Sequence, residues 1–325
     1  MPQISRLAFF GTPDFAVPTL DALVRAGRAP LLVVAQPDRP AGRGGRLQQP
    51  PVARYAGAEN LPLAQPEKVR DPEFLSRIEA LDLDVAIVVA FGQIFPARLL
   101  AAPRLGCINL HASLLPAYRG AAPIQAAIAA GETATGVTTM RMEQGLDTGP
   151  ILLQEKVTIG PTETAAELSP RLAAVGARLI LETLARLEAD DLAAVAQEDE
   201  HASYAPRLAK DAGRIDWSLP ARTLADRLRA FTPWPGLTAE LAGTPVKIVR
   251  ARALPGAAPR SAAPGTVIAL VTATTDGALD ALGALHVACG DGVLALLELQ
   301  RPGRRPLLAA DFANGERIVA GARFS

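Results

Sequence analysis

Unbroken apolar runs of strand length alternate with segments of helical spacing through residues 7–192, and that alternation predicts a parallel sheet covered on both faces. Residues 7–10 form the first run and end in Gly11-Thr12-Pro13. Phe15, Leu20, Leu23 and Val24 then recur at near-helical spacing over 14–26, with Pro18 tolerable in the opening turn and Gly27 as the stop. Residues 31–35, 84–92 and 106–110 read as further buried strands. Helices are expected over 72–80 and 121–130, the second entered through Pro123. Residues 135–142 and 151–159 alternate as the two arms of a hairpin. The amphipathic stretch 162–192 carries Leu168, Leu172, Val175, Leu179, Leu184 and Leu187, and Pro170 predicts a break or a late start. Residues 194–210 are polar and aperiodic, which reads as a linker. Beyond them a helix over 221–230 precedes short strand-like runs at 238–241, 246–251, 265–271, 285–288 and 293–299, the spacing of a small barrel. The expected fold class is α/β: an open, mostly parallel, nucleotide-binding-like sheet domain over 1–193, the linker 194–210, and a small OB-like β-barrel over 211–325.

Composition narrows the class without changing the architecture. A chain of 325 residues with 49% hydrophobic and 20% charged positions is a globular one with room for two cores. Its 27 glycines and 28 prolines follow no period, which excludes a fibrous repeat. No apolar run approaches a signal segment or a membrane span, and Cys107 and Cys289 sit in separate apolar runs as buried free thiols. A cytoplasmic protein is expected. The formal net charge of zero is composite: residues 1–206 carry 18 basic and 23 acidic side chains, whereas residues 207–325 carry 15 and 10. The second half is therefore the one suited to a polyanion.

Candidate chemistry concentrates where the 106–110 strand ends, in Asn109-Leu110-His111-Ala112-Ser113-Leu114-Leu115-Pro116-Ala117-Tyr118-Arg119-Gly120. Open α/β sheets place ligands at the carboxyl ends of their strands. Asn109 offers an amide donor to an oxygen gaining negative charge, His111 a base, and Asp147, in the turn Gly145-Leu146-Asp147-Thr148-Gly149, a carboxylate to orient the imidazole. The expectation is that these two turns meet. The same residues serve equally as turn caps and a satisfied structural histidine, and spacing alone does not separate the two readings. Tyr118 and Arg119 either bind substrate or cover the loop. Ser113 lacks a GxSxG elbow, the first turn lacks GxGxxG, and three scattered histidines with two isolated cysteines give no metal-ligand spacing. No metal is expected. After the second strand, residues 36–46 bring Arg39, Arg43 and Arg46 into a loop whose glycines and prolines forbid regular structure, and which is able to mould to phosphates or simply to face solvent.

These motifs resemble the folate-dependent formyltransferase superfamily, in Asn109-x-His111-x-Ser113-Leu114-Leu115-Pro116 with Leu146-Asp147-Thr148-Gly149. Further likeness lies in Phe10-Gly11-Thr12-Pro13-Asp14-Phe15-Ala16, the loop 36–44, Ala121-Ala122-Pro123-Ile124-Gln125, Ile215-Asp216-Trp217-Ser218 and Pro233-Trp234-Pro235-Gly236, and points to the branch acting on initiator tRNA. The resemblance implies transfer of a formyl group from the co-substrate 10-formyltetrahydrofolate to the α-amine of methionyl initiator tRNA, by a monomeric enzyme with Asn109, His111 and Asp147 as the catalytic trio. It implies a folate site along Phe91, Gly92, Gln93 and Ile94 and along Ser113, Leu114, Leu115 and Pro116. Contacts to tRNA are implied for Arg39, Arg43 and Arg46 and, in the C-terminal barrel, for Arg304 and Arg305. Arginine stands at Arg46, Arg304 and Arg305 where related chains often carry lysine, which keeps the charge and changes the hydrogen-bond geometry. A sugar-nucleotide or ribonucleotide amine is the alternative acceptor that the trio alone leaves open.

Overall fold

The computed structural model describes residues 4–41, 45–256, 262–271 and 283–325. They fall into two compact units, one of residues 1–123, 134–158 and 168–206, the other of 124–133, 159–167 and 207–325. In chain order the elements as far as residue 206 are β1 (Leu7–Gly11), α1 (Val17–Arg25), β2 (Leu32–Val34), β3 (Arg39–Ala41), β4 (Arg46–Gln48), α2 (Pro51–Ala58), β5 (Leu63–Ala64), α3 (Pro72–Glu79), β6 (Val85–Val89), α4 (Ala97–Ala101), β7 (Cys107–His111), β8 (Arg119–Gly120), α5 (Pro123–Ala129), β9 (Ala134–Arg141), β10 (Ile151–Thr158), α6 (Ala165–Ala189) and β11 (Tyr204–Ala205).

Seven strands form one sheet in the order β10-β9-β7-β6-β1-β2-β5. From β5 to β7 all neighbours run parallel, and the β9–β10 hairpin adds an antiparallel edge. Every position of β1, β6 and β7 is buried, as strands covered on both faces must be. One side of the sheet packs Phe10 edge-on to Phe91 and Phe95, with ring centroids 5.4 and 5.0 Å away. This is the open, mostly parallel α/β architecture that the run pattern predicted.

Three local expectations are corrected. Helix α6 begins at Ala165 and runs unbroken through Pro170. Thr164 and Glu167 cap it reciprocally, the Glu167 carboxylate accepting from Thr164 N at 2.9 Å while Thr164 Oγ1 accepts from Glu167 N at 3.3 Å. The donor that Pro170 lacks would have served the Ala166 carbonyl, in an exposed first turn where water replaces it, so the proline breaks nothing. The basic loop is not wholly irregular either: β3 and β4 pair antiparallel, Arg39 opposite Gln48 and Ala41 opposite Arg46. Pro40 lies in a two-stranded ribbon, where a missing donor is tolerated. The stretch expected as a linker, 194–210, is ordered against the first unit as far as Pro206. Val195 bridges Ile151, and β11 pairs in parallel with β8.

The second unit contains α7 (Ala221–Phe231), β12 (Leu237–Leu241), β13 (Thr244–Leu254), β14 (Val267–Val271), β15 (Ala284–Ala288), β16 (Val293–Gln300), β17 (Leu307–Leu308) and α8 (Ala309–Glu316). Its antiparallel sheet has the order β12-β13-β16-β15-β14, with β17 on β16. The edge strand β12 and the segment entering β14 are joined through the last residues, Leu241 bridging Phe324 and Thr266 bridging Arg323. That seam brings the two edges of the sheet together, as in a small barrel. Trp217, with its ring centroid 6.0 Å from that of Phe324, packs behind it.

Candidate active site

Asn109 and His111 are two residues apart on β7, so both project from the same face of the sheet. Each sits where β7 runs between β6 and β9, Asn109 level with Val88 and Met140 and His111 level with Thr138. The chain leaves β7 and turns, and buried polar contacts fix that turn. Thr138 Oγ1 donates to Ser113 O at 2.6 Å and accepts from Leu115 N and Gln154 Nε2 at 3.2 and 2.9 Å, which uses its full hydroxyl capacity. Ser113 Oγ donates to Ala117 O at 2.6 Å. Farther on, Tyr118 N and Arg119 N donate to Ser203, each over 2.8 Å.

The two turns meet. Gly120 N donates to Asp147 Oδ2 at 2.8 Å, and the same oxygen lies 3.7 Å from His111 Nδ1. That second distance is too long for a hydrogen bond, so Asp147 faces the ring without accepting from it as the orienting group that the sequence suggested would. The ring is oriented by its other nitrogen, Nε2, 3.0 Å from Tyr118 O. A carbonyl only accepts, so Nε2 carries a proton, and Nδ1 is the nitrogen that faces the carboxylate. His111 and Asn109 are 6% and 9% exposed. The Asn109 side-chain amide has no hydrogen-bond partner among the described residues and is not among the fully buried unpaired groups, which leaves an accessible donor for an incoming oxygen.

Of the positions implied for folate, Phe91, Ser113 and Leu115 are buried and their side chains belong to the core or to the turn itself. Phe91 contributes its carbonyl, which accepts from Thr12 Oγ1 and Gln36 Nε2 at 3.1 Å each. Leu114 packs over Gly136, and Gln93 anchors the loop by accepting from Val69 N at 2.9 Å. Gly92, Pro116 and Ile94 stay accessible, and Ile94 is 94% exposed. Arg39, Arg304 and Arg305 are exposed. Arg43 lies outside the described residues, and so does the side chain of Arg46.

Arg119 is buried at 2% exposure and takes no outward role. Its guanidinium donates to Gln197 Oε1 and pairs with Asp199 at 2.9 Å. Sequence reading missed Gln197 and Ser203, since both lie in a polar, aperiodic stretch; the one signal was the partly buried Gln197 in a run of exposed neighbours, which only the structure reveals. Burial pushes the Cys107 thiol up to about 12, which removes it as a nucleophile. Glu198, Glu200 and His201 bring possible metal-ligating atoms within 4.8 Å of one another, all on exposed side chains.

Residues 5–184 match the family model described as formyl transferase, and residues 207–317 the one described as formyl transferase, C-terminal domain. A methionyl-tRNA formyltransferase of Solibacter usitatus is 47% identical over 97% of this chain and 96% of its own length. Among solved structures, the N-formyltransferase of Helicobacter canadensis, in complex with folinic acid and dTDP-3-aminofucose, superposes with a TM-score of 0.63 at 17% identity, covering 90% of this chain and 98% of that one. HypX of Aquifex aeolicus in complex with tetrahydrofolic acid gives a TM-score of 0.59 at 16% identity over 95% of this chain, which spans 46% of that longer protein.

Proposed function

The chain belongs to the formyl transferase family, and from that premise we infer that it transfers a formyl group from 10-formyltetrahydrofolate to the α-amino group of methionyl initiator tRNA. The observation that carries the site assignment is His111 Nδ1 facing Asp147, on the strand face that also holds the unpartnered Asn109 amide. The neutral methionyl amine attacks the formyl carbon, and its new C–N bond drives the carbonyl electrons onto oxygen. Asn109 donates to that oxyanion. His111 Nδ1 takes the proton the amine sheds, and the resulting imidazolium faces the Asp147 carboxylate. Collapse of the intermediate breaks the bond to folate nitrogen, which takes up a proton and leaves as tetrahydrofolate. One bond to nitrogen forms, one breaks, and no oxidant or reductant enters.

The folate lies along the accessible positions Gly92, Ile94 and Pro116, with backbone groups of Phe91 and Gln93 beside it. The acceptor end of the tRNA is met by Arg39, Arg43 and Arg46, and Arg304 and Arg305 meet phosphates on the second unit. The excess of basic side chains in residues 207–325 supports that reading. Among the described residues no helix is long and apolar enough to cross a membrane. The proposed activity implies a monomeric enzyme of the cytoplasm.

Incorporation of labelled formyl into methionyl initiator tRNA, with methionyl elongator tRNA and free methionine in parallel, tests the assignment. Label confined to the initiator is the expected result. Folate consumption without labelled tRNA would move the acceptor to a small amine. Charge reversal of Arg304 and Arg305 should weaken tRNA binding and flatten its salt dependence while folate binding stays at the parental level; unchanged tRNA affinity would refute that surface.

A further inference from the structure

Gln197 lies on the outer segment between α6 and β11, yet its amide reaches inward to the catalytic turn. Its Nε2 donates to Asp147 O at 2.8 Å and to Gly149 O at 2.7 Å, the two carbonyls that bracket the Asp147–Gly149 bend. Its Oε1 accepts from Arg119 Nε and Nη2 at 3.0 and 2.9 Å. These partners settle the orientation of the amide, since reversing it would set an NH2 against a guanidinium and an oxygen against two carbonyls. Arg119 in turn pairs with Asp199 on the same segment, and the next residue, Gly120, donates to the Asp147 carboxylate. A closed loop of contacts thus runs from Asp147 through Gln197, Arg119 and Gly120 back to Asp147.

The bend needs such a tie. Asp147 adopts a left-handed backbone with φ of 56°, a conformation an aspartate tolerates at some cost. Its neighbours Gln144, Gly145, Leu146 and Thr148 are exposed and supply no burial to hold it. We propose that Gln197 is a positioning residue for the formyl transfer, holding the Asp147 carboxylate at its distance from His111 Nδ1 through the Asp147 and Gly149 carbonyls. The proposal rests on the reading of Asp147 as the group that faces the protonated imidazole. It makes the polar segment after α6 part of the catalytic apparatus.

Gln197→Glu tests it, because a glutamate still accepts from Arg119 and keeps that buried guanidinium neutralised but cannot donate to the two carbonyls. The expected result is a kcat lowered roughly 100-fold, the scale on which a displacement of about an ångström acts, with folate affinity unchanged. In a background already carrying Asp147→Asn, Gln197→Glu should lower kcat by no more than about twofold, since residues acting as a unit do not add. A single variant within threefold of the parental kcat overturns the proposal, and so does a loss that multiplies in full onto Asp147→Asn. If Asp147→Asn alone keeps the parental kcat, the catalytic reading of Asp147 is the part that fails, and the single variants tell the two failures apart. Should Gln197→Glu melt well below the parent, Gln197→Met, uncharged and of the same length, is read by the same cycle.

Discussion

Replacing Asn109 with Ala should separate catalysis from stability. The side-chain amide has no hydrogen-bond partner among the described residues, so the fold loses no bond when it goes. Its polar atoms are not among the buried unpaired ones and keep contact with solvent, so the alanine relieves no desolvation cost and removes only packing contacts. The melting temperature should therefore stay close to the parental one. Transition-state stabilisation should fall by about 3 kcal/mol, the usual worth of one oxyanion donor, or roughly 100-fold in kcat/KM. Single-turnover transfer of labelled formyl at saturating tRNA, beside a thermal melt of the same preparation, reads both quantities. Asn109→Asp sharpens the test, since it keeps the shape and sets a carboxylate against the forming oxyanion; it should be slower than the alanine variant. A kcat/KM for Asn109→Ala within threefold of the parent would refute the oxyanion role. A melting temperature lower by several degrees would instead show that the amide is paired in the resting fold.

The remaining predictions concern what supports the site. Gly120 has φ of 119°, and a Cβ there would come within 2.6 Å of Ala205 O, so Gly120→Ala should cost more than about 1 kcal/mol of stability and slow formyl transfer by shifting the amide that holds Asp147; a parental melting curve would count against this account of the turn. The hydrogen bonds from Arg28 hold the Glu188 carboxyl below its ordinary value, against the burial that would raise it. A depressed carboxylate contributes stability above its unfolded pKa and loses it as pH falls through the folded one, so Glu188→Gln should lower stability at neutral pH by about 1–3 kcal/mol and flatten the acid limb of a stability-against-pH curve; a variant that keeps the parental acid limb would contradict this. Burial pushes the thiols of Cys107 and Cys289 up to about 12 and about 11, so iodoacetamide near neutral pH should label neither in the folded protein and both after denaturation, and rapid labelling of native Cys107 would show an access route absent from this fold.

How much of this was legible in the chain depends on whether a feature is local. Strands β1, β6 and β7 announce themselves because a parallel strand covered on both faces must be apolar at every position. The β9–β10 hairpin is equally plain, since alternation and a glycine-bounded turn are properties of a short window. Asn109 and His111 share a face by strand period alone. What brings Asp147 to them is a hydrogen bond from Gly120, across 27 positions, and no periodicity encodes it. The role of Pro170 was misjudged because its cost depends on where the helix starts. Only the reciprocal Thr164–Glu167 cap fixes that start.

The stretch after α6 shows the limit most clearly, because polarity and lack of period mark a segment with no face of its own and say nothing about whether its polar groups point outward. Gln197, Ser203 and Asp199 are spaced irregularly because their partners are the bends at 118–120 and 147–149, not a neighbouring sheet face. A buried arginine is the clue that a sequence withholds. A guanidinium inside a fold requires an acceptor and a countercharge close by, and for Arg119 both come from this segment. The segment therefore has to stay docked on the first unit whenever Arg119 is buried. It follows that a deletion within 195–203 should strand that charge and release the Asp147 bend together, so that loss of formyl transfer and loss of stability arrive in one step, whereas shortening a true linker would leave both intact.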